Sequence, residues 1–208
     1  LEETEADVAD QVVLVEDGRT VARSPLEELM NSYLLINSDL YRTGTSGVDK
    51  YEAPDVLTGL ADHSFRVRGF PRSNKEKLLL VLISRYIERL ALDADDGTLR
   101  TSFQRLSRLN DEVGTRAVYD QLADSGVETH IYGYLDTDDL PADLTVHAGA
   151  GPVYEDSWFV VFDPAAAAVD PAALVALVDA DAGVNEWVGR WTFDPDRVDE
   201  IAEVVEQF

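Results

Sequence analysis

Apolar and polar residues follow two different periods along this chain, and the switches between them mark its elements. "QVVLVEDGRTVARS" (11–24) reads as two short strands around Asp17-Gly18, a favoured hairpin turn pair. "SPLE" follows, with Ser24 placed as a cap, Pro25 at the first helical position and Glu27 three residues after the cap, so a helix is expected over Pro25–Leu35. The Gly- and Ser-containing stretch 42–54 reads as a loop, and a short helix over Pro54–Ala61 leads into "SFRVRGF" (64–70). There Phe65, Val67 and Gly69 alternate with Arg66, Arg68 and Phe70, the pattern of a strand with one charged edge. "SNKE" (73–76) repeats the capping pattern and opens a helix to about Leu92. Between Leu78 and Ile83 that helix is apolar all round, which predicts a central position.

Five further strands are expected: "GTLRTSF" (97–103), "VETHIYG" (127–133), "DLTVHA" (143–148), "SWFVVFD" (157–163) and "EWVGRWTFD" (186–194). A helix over 115–126, ended by Gly126, joins the first two and suggests a right-handed parallel crossover. "DPAALVALVDAD" (170–181) and "DPDRVDEIAEVVEQF" (194–208) both start with an Asp cap followed by Pro, so both are predicted to be helices. The Ala-rich stretch 164–173 is then a loop running into the first of them. This alternation predicts an α/β fold, a mixed central sheet covered by helices, with an α+β sensory-domain-like sheet as the alternative. Residues 1–50 are expected to form a hairpin-and-helix lead-in packed on a main domain of 51–208.

Composition narrows the function classes. The absence of cysteine removes disulfides, thiolate metal sites, cysteine nucleophiles and covalently attached bilins. The apolar run Leu78–Ile83, like every other in the sequence, is far short of the roughly 20 residues of a membrane span. "LEETEADVAD" is no signal peptide, so the cytoplasm is the expected compartment, and a start at Leu1 suggests a piece of a longer protein. Forty-one acids stand against 17 bases, a net charge of −24, and only Lys50, Lys75 and Lys77 are lysines. Asp-rich, Lys-poor acidity around an intact apolar core points to adaptation to high salt, where charges are screened beyond about 3 Å.

The bases are unevenly placed. Residues 66–116 hold eleven of the 17 with seven acids, and "RVRGFPRSNKEK" (66–77) holds five positive charges and one negative. Arg66 and Arg68 on a strand, Arg72 in a turn, and Lys75 and Lys77 in a first helical turn form an edge suited to an anion or an acidic partner surface. Lysines at a helix start oppose the dipole, so their placement there calls for a counter-charge. The competing account is pairing with the chain's own carboxylates. Arg85 and Arg89, four apart in "LISRYIERL" with Glu88 beside them, extend the edge, as do Arg100, Arg105 and Arg108.

Four quoted segments, "GTLRTSFQRLSRL", "YDQLADSGVETHIYG", "SWFVVFD" and "GRWTFDPDRVDEI", occur in an order that resembles the DICT domain. That sensory module is named for the diguanylate cyclases and two-component systems that carry it, and the chain is similar to its halophilic archaeal members. The resemblance covers residues 70–206. It implies a non-catalytic input or regulatory domain of signal transduction with an α/β fold, and it supplies no ligand residues to carry over.

A pocket rim is expected where two strands end: Gln104 and Arg105 as polar contacts, Tyr132 and Tyr134 as walls. His130 and His147 sit opposite the apolar parity of their strands and are placed to face each other, the only candidates for metal ligation. No nucleophile elbow, P-loop, HExxH or dinucleotide fingerprint is present. The cofactor is left unknown, with room for a noncovalent flavin. The expected partner is a signalling protein or a small anionic ligand. A homodimer is compatible, a DNA-associated regulator is a lesser alternative because the net charge repels nucleic acid, and an uncharacterised hydrolase or transferase is a lower one.

Overall fold

The computed structural model describes residues 10–29, 53–68, 78–110, 113–166, 168–179 and 186–208. Two compact units divide the chain, Leu1–Ala61 and Asp62–Phe208. In the first, β1 (Gln11–Glu16) and β2 (Arg19–Pro25) pair as the expected antiparallel hairpin around Asp17-Gly18, both at positive φ. Helix α1 (Asp55–Thr58) follows. Here one expectation is corrected. Ser24 is not the cap of a helix starting at Pro25, because β2 runs through Pro25 and the Ser24 hydroxyl accepts the Val56 N–H at 3.1 Å, and the expected helix begins one residue later, at Leu26.

The second unit is a mixed α/β sheet with helices on both faces, as expected. Its strands are β3 (Ser64–Arg68), β4 (Thr98–Arg105), β5 (Glu128–Tyr134), β6 (Thr145–Ala148), β7 (Ser157–Asp163), β8 (Ala172–Val178) and β9 (Glu186–Thr192). Their helices are α2 (Leu78–Ala94), α3 (Val113–Ala123), α4 (Pro152–Glu155) and α5 (Pro195–Val205). The strand order is β3-β9-β8-β7-β4-β5-β6. Strands β4, β5 and β6 are parallel, and the remaining pairs are antiparallel.

Strand β7 lies at the centre, which explains why "SWFVVFD" is apolar at successive positions. On one face Trp158 donates its indole N–H to Ser84 of α2 at 2.9 Å. Leu80, Ile83, Ile87 and Ala91, spaced three or four apart along α2, are completely buried. Tyr119 of α3 meets Phe103 of β4 on this same face at a ring-centroid distance of 5.0 Å. On the other face Phe159 and Val161 meet Val198, Ala202 and Val205 of α5. Burying each such side chain contributes about 1.5–3 kcal/mol before the entropy of ordering is charged against it. Asp194 caps α5 by accepting the Asp196 N–H at 3.1 Å, with Pro195 next, as the sequence pattern predicts.

Within 170–181, expected to be a helix, Ala172–Val178 form strand β8 instead, so the Ala-rich stretch before it runs into a strand. A short run apolar at every position suits a buried strand and a buried helix equally. What decides is its seat between β7 and β9, which supplies main-chain partners on both sides. Helix α2 ends within two residues of the expected position. The capping pattern at 73–76 lies outside the described residues. Among the described residues no helix is long and apolar enough to cross a membrane.

Candidate functional site

Helix α5 is too short to cover its whole sheet face, and two features lie at its C-terminal end. The first is a hollow of about 680 Å³ between α4, the start of β7, the end of β8 and the last turns of α5. Val175 and Leu177 share one face of β8, but Leu177 remains 55% exposed. Val153, Val204 and Phe208 also line the hollow and are exposed, so its walls are apolar surface that the fold leaves wet. Among the described residues, the charged ones on the lining are Asp156 and Glu200, with no Lys or Arg. Its size suits a small molecule, and its charge suits a neutral or cationic head group rather than an anion. Ser157, at the inner edge, turns its hydroxyl onto the Val153 carbonyl, and its own carbonyl accepts from Gln104 Nε2 at 2.6 Å.

The second feature is polar and lies on the same sheet face over β4, β5 and β6. Arg100 stands beside His130, and Tyr132 beside His147, in the strand registers. His147 stacks on Tyr132 with centroids 4.2 Å apart and the planes within 7°. His130 Nδ1 lies 2.9 Å from His147 Nε2, so the two histidines face each other as expected, and His130 Nε2 reaches Glu128 at 3.1 Å. Each ring therefore spends a nitrogen on the other. Among the described residues no group of three or more His, Asp or Glu gathers as a metal site would need. Arg100 is buried and pairs through Nη2 with Glu206, the residue that ends α5. Burial raises the Tyr132 phenol above its ordinary value, opposed by the charge of Arg100.

Burial lowers the His147 imidazole, and the nearby His130 and Arg100 lower it further. The unfolded chain protonates this ring near the usual value of about 6.5, whereas the folded chain holds it neutral to lower pH. Below about pH 6.5 the unfolded state therefore takes the proton first, and stability falls until pH passes the folded value. Thermal melts between pH 5 and 8 are expected to show this decline in the native protein and a smaller one in His147→Phe. Parallel profiles for the two would contradict it.

The expected strand-end rim is brought together only in part. Gln104 sits at φ 53° in a break of the β4–β5 register, where it is buried and its Oε1 accepts from Arg108 at 2.5 Å. Arg105 leans over Tyr134 at 5.6 Å and reaches Asp136 at 3.5 Å, both arginine and tyrosine being exposed. Tyr132 does not join them as a wall, because it is buried beneath His147. Asp136 occupies the anion position at this strand end: the Ser107 N–H and hydroxyl reach it at 2.8 and 2.9 Å, and these bonds with Arg105 hold its carboxyl below the ordinary range.

Along the basic stretch, Arg66 pairs with Asp179 at 2.7 Å, Arg85 with Glu88, and Arg89 with Asp93 at 2.8 Å. Arg72, Lys75 and Lys77 and the side chain of Arg68 lie outside the described residues. Sequence reasoning missed the hollow altogether. Reading 170–181 as a helix hid the parity that sets Leu177 beside Val175, the one signal that an apolar strand face outruns the helix above it.

Comparison with known proteins adds little. No family model matches the chain, and no curated protein matches it. Among solved structures, a polyphosphate kinase from Porphyromonas gingivalis aligns over 80% of this chain and 28% of its own, at 12% identity and a TM-score of 0.42. The chain thus spans less than a third of that protein's length.

Proposed function

We propose that this protein is a non-catalytic sensory or regulatory domain of signal transduction, similar to the DICT domain, whose ligand occupies the hollow beside α5. The observation that carries the reading is that hollow: about 680 Å³, apolar-walled, with no cation on its lining. It favours an apolar ligand with a neutral or cationic head, in place of the anionic ligand expected from the basic stretch. One wall is the final turn of α5, so occupancy is able to bias that helix and pass a signal to a partner protein. The segments resembling the DICT domain and the salt-adapted composition support a cytoplasmic setting in a halophilic archaeon.

The test is a thermal-shift screen with neutral and cationic amphipathic compounds. A binder present at 100 times its Kd is expected to stabilise the fold by about 2.7 kcal/mol. Val204→Trp fills the hollow from an exposed position, so it is expected to abolish the shift while leaving the unliganded melting temperature within about 0.5 kcal/mol of native. The reading fails if no compound shifts the native protein, or if a shift persists undiminished in Val204→Trp. Capture of a partner without any thermal shift would favour an adaptor, and turnover of a bound compound would favour an enzyme.

A further inference from the structure

We infer that Arg100 is the centre of a second site, one that takes a small oxyanion, a carboxylate or a phosphate, in the place now held by Glu206. The side chain of Arg100 is nine-tenths buried, with 10% exposure. Its Nη2 reaches Glu206 and the Tyr132 hydroxyl lies against the guanidinium, while Nε and Nη1 are buried with no acceptor at full hydrogen-bond geometry. A guanidinium is a planar fork that binds an oxyanion through two parallel bonds. Burying two of its donors unfilled is costly. Glu206 fills the fork poorly because it approaches through one oxygen.

Glu206 is also a replaceable partner. Its side chain is 56% exposed, and it stands at the C-cap of α5, the helix end that disfavours a carboxylate. His130 and His147 lie on the same face and add two ring systems able to donate as well as accept. Among the described residues, the charged and titratable groups facing them are Arg100, Tyr132, Glu128 and Glu206, so beyond the helix-end carboxylate Glu128 is the group that opposes an incoming anion. When Glu206 swings out, an oxyanion gains entry along its path and takes Nη2 together with either Nε or Nη1, the two forks that a guanidinium offers. The end of α5 then loses its ionic tie to β4.

The experiment is a titration with potassium phosphate, and separately with potassium acetate, against potassium chloride of matched ionic strength. The readout is the ring proton signals of His130, His147 and His63 by NMR. Saturable shifts are expected at His130 and His147 but not at His63. Glu206→Gln removes the competing charge and is expected to bind phosphate about tenfold more tightly, the scale of one hydrogen bond to a charged group. Arg100→Lys keeps the charge but loses the fork, and is expected to bind more weakly than native. Response to phosphate alone assigns a phosphorylated ligand, and response to both salts assigns a carboxylate-tolerant site. The site is refuted if Glu206→Gln shows no saturable shift, if it binds no more tightly than native, or if Arg100→Lys binds as well as native. Failure here leaves the hollow untouched, since none of these residues lines it.

Discussion

Glu88→Ala is expected to cost the sheet unit about 3–5 kcal/mol, the loss typical of removing one partner from a buried ion pair. Glu88 is 3% exposed, between α2 and α3. Its carboxylate accepts from Arg85 Nη1 and, at 2.8 Å, from the Tyr119 hydroxyl. Arg85 Nη2 continues to Thr115, so four side chains of two helices close their charges and hydroxyls on one another. Burial is the main cause that pushes the Tyr119 phenol well above its ordinary value, and the charge of Glu88 adds to it. Deleting the carboxylate takes the Glu88 counter-charge away from a guanidinium with only 10% side-chain exposure. Glu88→Gln keeps an acceptor for Tyr119 and is expected to fall between native and Glu88→Ala. Arg89→Ala removes only an exposed pair with Asp93 and is expected to cost about 0.3–0.5 kcal/mol. Urea unfolding followed by tryptophan fluorescence checks all three, because Trp158, Trp187 and Trp191 all belong to the unit Asp62–Phe208. Equal losses for Glu88→Ala and Arg89→Ala would show that the cluster is hydrated rather than buried.

That contrast also shows where reading the sequence stops. Arg85 and Arg89 are four apart and look like one cationic face, yet one is a strut between helices and the other a solvent pair. Spacing specifies the face of a helix but not what stands opposite it, and here Thr115 and Tyr119 arrive from 30 or more residues away. Strands β4, β5, β7 and β9 were readable because alternation or a short apolar run carries its own period. The facing of His130 and His147 was readable for the same reason. The hollow was not, since it arises from the length of α5 relative to β8, and the identity of β8 is a tertiary outcome. The acid pair Asp95-Asp96 builds a turn. Asp95 accepts the Gly126 N–H at 2.8 Å, and Asp96 accepts the Gly97 N–H at 2.8 Å.

That turn carries the second large effect. Gly97 lies at φ 96°, where an L side chain is strained by about 1–3 kcal/mol. A Cβ there would also stand 2.5 Å from the Asp163 carbonyl oxygen and 2.8 Å from the Pro164 Cα, both of them backbone atoms. Moving a main chain aside costs about 1–3 kcal/mol more, as overpacking does in a core. Gly97→Ala is therefore expected to pay both penalties. Gly151 has a similar φ of 102° but nothing within 4 Å of its Cβ position, so Gly151→Ala should pay the first alone. The difference between the two variants, measured by the same urea titration, isolates the close approach of the β7 exit to the turn that starts β4. Both strands are antiparallel neighbours from Thr98 and Asp163 onward, and this contact is where their register begins. Equal losses in the two variants would mean that the chain beyond Asp163 yields freely and that the register is held elsewhere.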